Sequence, residues 1–123
     1  MKVTDVEILQ KHLDEVINPC WNYAGRCKTF QDELLNAVTG LGGEAGEIVD
    51  QVKKMCFHTE KPIEFHREKL KHEFGDSFFY HLKAMELLGI TIEEVLAANR
   101  EKLQSRHPEL GLVQERFGDG YIK

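Results

Sequence analysis

Apolar side chains recur at helical spacing over four stretches of the chain. Val6, Leu9, Leu13, Val16 and Ile17 follow an i, i+3, i+4 rhythm over residues 4–17, and Asn18-Pro19 is expected to end that helix. A second stretch opens at Thr29, which forms a capping-box-like pair with Asp32. It runs to residue 57 on Leu34, Val38, Leu41, Ile48, Val49 and Val52. The third covers residues 63–88 on Leu70, Phe74, Phe78, His81, Leu82 and Met85, with Gly89 as its stop. Thr91 and Glu94 cap a fourth, which continues to Arg106 ahead of Pro108. No stretch alternates with period two for long enough to be a strand, and no linker or repeat divides the helices. The pattern predicts an all-α fold, a four-helix bundle in one domain over 1–123. Its core spans about residues 4–108, and an irregular tail covers 109–123.

A chain of 123 residues buries only about two thirds of the surface its unfolded form exposes. Completion by oligomerisation, as a homodimer or homotetramer, is therefore expected. With 41% apolar and 30% charged residues the composition suits a folded protein rather than a disordered one. The formal charge of −5 supplies no positive field for a polynucleotide. Runs such as Ser77-Phe78-Phe79-Tyr80 fall far short of the roughly 20 apolar residues that cross a bilayer, and the polar opening Met1-Lys2-Val3-Thr4-Asp5 lacks a signal-peptide core. These features predict a cytoplasmic protein with no membrane partner. Cys20, Cys27 and Cys56 are odd in number and form no CxxC pair, which argues against a disulfide framework or a zinc knuckle and for buried or idle thiols.

Two acidic pairs carry the chemistry. Glu44 and Glu47 stand as ExxE in the second helix, and Glu73 and Asp76 as ExxD in the third. Residues three apart lie side by side on a helix, so each pair can aim at one point. At about 100° per residue, the two pairs fall at nearly the same offset from their helices' apolar stripes. If those stripes pack together, four carboxylates converge at the margin of the core, where repulsion calls for a cation. Oxygen-only donors suit a hard divalent ion, and Mg²⁺ fits a site that also meets phosphates. Gly42, Gly43 and Gly46 surround the first pair inside the helix, each at a cost of about 1 kcal/mol relative to alanine. Close helix approach, access for a bulky ligand, or a local break in the helix would each account for them. The stretch Gly40-Leu41-Gly42-Gly43-Glu44-Ala45 formally fits a dinucleotide fingerprint, but no strand precedes it and Glu44 would face the pyrophosphate.

Three blocks together resemble the MazG-like all-α nucleotide pyrophosphohydrolase superfamily, in its compact phage and bacterial single-domain form. The first is Asn36 followed eight residues later by Glu44, within Gly43-Glu44-Ala45-Gly46-Glu47. The second is Glu73-Phe74-Gly75-Asp76, and the third is the NxxKLxxRxP segment from Asn99 through Lys102, Leu103 and Arg106 to Pro108. The resemblance implies a MazG-like bundle in which Glu44, Glu47, Glu73 and Asp76 coordinate Mg²⁺, with Mn²⁺ able to substitute. It also implies cleavage of a (deoxy)nucleoside triphosphate between its α and β phosphates, to a monophosphate and pyrophosphate. Such an enzyme would control the nucleotide pool of a bacterial or phage-infected cell. Glu47 or Glu44 would orient or deprotonate the attacking water. Two features depart from the pattern: the extra glycine of Gly42-Gly43, and a tail ending Phe117-Gly118-Asp119-Gly120-Tyr121.

Further residues are candidates for substrate contact. Lys53, Lys102 and Arg106 can offer cations to phosphates, with an exposed lysine and a helix-terminal arginine as the plainer alternatives. Asn99 joins them from the third block. Asn36 can meet sugar or base, or can be a buried, satisfied amide. Trp21, Tyr23 and Phe30 can stack on a base, or can fill core. No Glu-x-x-His exists for a di-iron bundle and no His-Asp dipeptide for an HD-type hydrolase. The rival from another class is a non-catalytic helical protein-interaction module, which would gain no stability from Mg²⁺.

Overall fold

The structure, a computed structural model, describes residues 4–21, 25, 27–58 and 60–112. Tyr23 and the tail beyond residue 112 lie outside the described residues. Thr4 caps helix α1, Asp5–His12, in a reciprocal box with Glu7. The helix does not end where proline is expected to stop it. It widens into a π-type turn, Leu13–Ile17, and continues as α2, Asn18–Trp21. Proline removes a backbone donor and crowds the carbonyl four residues back. The wider turn, in which the Asn18 N–H reaches the Leu13 carbonyl, gives room at this point. It also turns Leu13 and Ile17 inward, where both are buried.

Helix α3 spans Phe30–Phe57 and α4 spans Ile63–Leu87. At the start of α3 the Thr29 hydroxyl accepts from the Asp32 N–H, while the Asp32 carboxylate accepts from Lys28 N–H. Only half of the expected capping box is present. Gly89, at φ +69°, ends α4 in the left-handed conformation that a side chain disfavours. Helix α5, Ile92–Arg106, begins with the full Thr91–Glu94 capping box. A 3₁₀ turn, Pro108–Leu110, follows it. Counting α1 through α2 as one run, the described residues form four helical runs and no strand, the all-α fold that the periodicity predicts.

Helices α3 and α4 form an antiparallel pair, with Gln51 opposite His66, Glu44 opposite Glu73 and Asp76, and Gly40 opposite Tyr80. The face between them coincides with the apolar stripes only in part. Buried Gln51, half-buried Glu44 and Gly40 of α3 meet buried His66, half-buried Glu73 and half-buried Tyr80 of α4. The predicted stripes divide: Val38, Val49 (67% exposed), Val52, Phe74 (50%) and Phe78 (56%) stand outward, with His81 also exposed, whereas Leu34, Leu41, Ile48, Leu70 and Met85 are half-buried and Leu82 is buried. Small and polar side chains let two long helices approach closely, which explains the choice of seam and leaves part of each bulky stripe uncovered. The buried apolar cluster sits at one corner, where Leu13, Ile17, Leu82 and Ile92 pack with Val6, Leu9, Phe79, Met85 and Leu96.

Candidate metal centre

Midway along the α3–α4 seam, Glu44, Glu73 and Asp76 bring one carboxylate oxygen each to within 4.8 Å of one another. Glu44 and Glu73 are half-buried and Asp76 is exposed. Both helices run without interruption through the site, so each side chain is placed by a rigid backbone. Partial burial raises the pKa of Glu44 above the ordinary carboxylate value. The negative charge of Asp76, a hydrogen bond with Glu73 and the charges of Glu73 and Glu47 add to the rise. No ion pair reaches Glu44, Glu73 or Asp76 among the described residues. Three oxygen donors without a cationic side chain fit a hard divalent ion, which would relieve the same crowding that raises Glu44. Glu47, one turn beyond Glu44, is exposed and stands outside this group of three, although its charge is felt at Glu44.

The glycines around the first acidic pair resolve into two kinds. The helix is unbroken at Gly42, Gly43 and Gly46, and a Cβ at any of them, or at Gly75, would meet nothing within 4 Å. They leave open surface beside Glu44 and Glu47. Gly40 is the close-approach position: a Cβ there would lie 2.6 Å from Tyr80 Cζ and nearer still to the side of the ring. Tyr80 is one helical turn beyond Asp76, and Gly40 is one turn before Glu44. Tyr80 therefore adjoins the acidic centre along the seam, and it packs at 5.1 Å from Phe79 and 6.5 Å from Trp21 between ring centroids. Reading the two acidic helices with a four-residue step would have found both Gly40 and Tyr80.

The remaining candidates are dispersed. Trp21 is half-buried and lies against Phe79 and Tyr80, and its indole N–H donates to Glu33 at 3.0 Å. Asn36 is exposed rather than buried, with its amide 3.8 Å from Cys27 Sγ. Phe30 is exposed at the start of α3. Lys53 is exposed, while the neighbouring Lys54 pairs with Asp50 at 2.9 Å. Asn99, Lys102 and Arg106 are exposed on α5, a helix that joins the core through Ile92 and Leu96 and packs on α1. The three cysteines are free thiols: Cys20 and Cys56 are exposed and Cys27 is half-covered.

An antiparallel helix pair with a carboxylate cluster at its seam defines an all-α protein equipped to hold a divalent cation. Residues 32–111 match the MazG nucleotide pyrophosphohydrolase domain, and the chain belongs to that family. It is also 38% identical over 93 residues to the "Gene 37 protein" of Mycobacterium phage L5, covering 74% of this chain and 79% of that one. No solved structure matches the chain. No helix among the described residues is long and apolar enough to cross a membrane.

Proposed function

We propose that the protein hydrolyses (deoxy)nucleoside triphosphates between the α and β phosphates, with Mg²⁺ as cofactor and Mn²⁺ as substitute. The observation that carries this reading is the meeting of Glu44, Glu73 and Asp76 within 4.8 Å, inside the segment that matches the family. Mg²⁺ held there would neutralise phosphate oxygens and lower the pKa of a water molecule. Glu44, Glu73 and Asp76 are the ligands on this reading, and Glu47 completes the set from the next turn. Glu47 is exposed beside the open glycine surface, which suits a carboxylate that takes a proton from the attacking water. Lys53, Asn99, Lys102 and Arg106 are assigned to phosphate contact and Asn36 to the sugar or base, as exposed polar groups free to reach a ligand.

A homo-oligomer is part of the same reading. Val49, Phe74 and Phe78 flank the carboxylates and are half or more exposed among the described residues, so a second copy seated there would stand beside each site. The deciding experiment is a panel of eight ribo- and deoxynucleoside triphosphates with Mg²⁺, scored for products. Monophosphate and pyrophosphate are expected, with a preference among bases. Inorganic phosphate with a diphosphate product would overturn α–β cleavage.

A further inference from the structure

Lys83 is an anomaly in this fold. Its side chain is 8% exposed whereas the other lysines among the described residues are exposed, and lysine is almost never buried unless paired. Its ammonium donates to Asn18 Oδ1 at 2.8 Å and to Glu86 Oε1 at 3.1 Å, and lies 5.4 Å from the centroid of the Trp21 ring. Asn18 closes the ring of contacts by donating from Nδ2 to Glu86 Oε2 at 3.1 Å. Three polar side chains thus satisfy one another, and the cation is applied to an aromatic face.

The network sits at a junction. Asn18 and Trp21 belong to α2, which the widened turn delivers to the seam, whereas Lys83 and Glu86 belong to α4. Trp21 is held again at its other end, where the indole N–H donates to Glu33 of α3. A four-residue helix with no buried apolar residue of its own is thereby fixed to both long helices. Lys83 lies seven residues, two helical turns or about 10 Å, beyond Asp76, with Tyr80 between them. Trp21, packed on Phe79 and Tyr80, is thereby linked to the acidic centre through Tyr80, which stands one helical turn from Asp76. An apolar side chain would fill the place of Lys83 without burying a charge; what it would not do is hold the indole in one orientation.

We propose that Lys83 is a positioning residue for nucleotide binding: with Asn18 and Glu86 it fixes Trp21 in the aromatic wall beside Glu44, Glu73 and Asp76. The proposal rests on reading the acidic centre as a triphosphate site. Trp21 is the sole tryptophan of the chain, so its emission reports the network directly. In the full-length protein, Lys83→Met should shift Trp21 emission to the red and make it more accessible to acrylamide, with the helical circular dichroism unchanged. The same variant should raise KM for the preferred triphosphate by about tenfold while kcat stays within about threefold, because misplaced binding groups weaken the complex without touching the metal ligands. Lys83→Arg, which keeps the cation over the ring, should recover part of the KM. If Lys83→Met does not fold, Glu86→Gln carries the same pair of measurements. A folded variant with altered emission but the parental KM overturns the proposal and leaves the triphosphate reading standing. Failure of the parent protein to cleave any triphosphate overturns both.

Discussion

At Glu44 the fold makes ionisation unfavourable, and this has a definite sign. A carboxyl whose pKa is raised in the folded state stabilises the fold most below its unfolded value, and that contribution is lost as the pH rises through the folded value. In EDTA, the contribution of Glu44 to thermal stability should therefore fall as the pH rises through and above the ordinary carboxylate range, so the advantage of Glu44→Gln over the parent should grow across that range. The gain in Tm on adding Mg²⁺ should grow across the same window, since ligands must shed their protons to bind metal. A Mg²⁺ response that is equal at both ends of the range would count against Glu44 as a ligand. Asp76→Asn removes one of the charges that crowd Glu44. It is expected to raise Tm in EDTA, abolish the Mg²⁺ response and lower pyrophosphate release by about two orders of magnitude or more. Normal turnover in that folded variant would remove the proposed site. That Glu44, Glu73 and Asp76 would approach one another was legible in the sequence, because a three-residue spacing repeated on two helices is a local property; that Glu47 would stand outside them was not. Tyr80 and Lys83 were not singled out, since one reads as core filling and the other as an ordinary surface lysine until α2 is seen lying across them.

Among the elements, the boundaries of α3, α4 and α5 were legible because Thr29, Gly89, Thr91 and Pro108 punctuate the chain through their own backbone chemistry. The run from α1 into α2 was not, since a proline that normally stops a helix is accommodated by the π-type turn, a feature with no sequence signal of its own. The seam between α3 and α4 was misread for a physical reason. Periodicity weights the largest apolar side chains, whereas the contacts across this pair run through Gly40, Glu44 and Gln51 against Tyr80, Glu73 and His66, with the stripes only partly covered. Gly40 tests that account. Gly40→Ala brings a Cβ against the Tyr80 ring, and such overlap costs about 1–3 kcal/mol against about 1 kcal/mol gained in helix propensity. A net loss in urea unfolding is expected. Gly42→Ala and Gly43→Ala face open space and should each stabilise the helix by about 1 kcal/mol. Equal effects at Gly40 and Gly42 would mean that the seam does not pass through Gly40.

For the whole molecule, the outward stripes predict a species larger than 14.2 kDa in sedimentation at micromolar concentration. Phe78→Asp, which places a charge on the exposed stripe, should drive it to the single-copy mass. A parent protein that sediments only at the single-copy mass would end the homo-oligomer reading. The position of the buried cluster has a further consequence for amide hydrogen exchange. Protection in the corner of Leu13, Ile17, Leu82 and Ile92 comes from within one chain, so exchange there should not depend on dilution. The middle of the α3–α4 pair has a largely polar seam and exposed apolar side chains on its outer faces. Its amides should exchange faster as the protein is diluted, which would make the segment that bears the acidic centre sensitive to how much of the protein a cell makes.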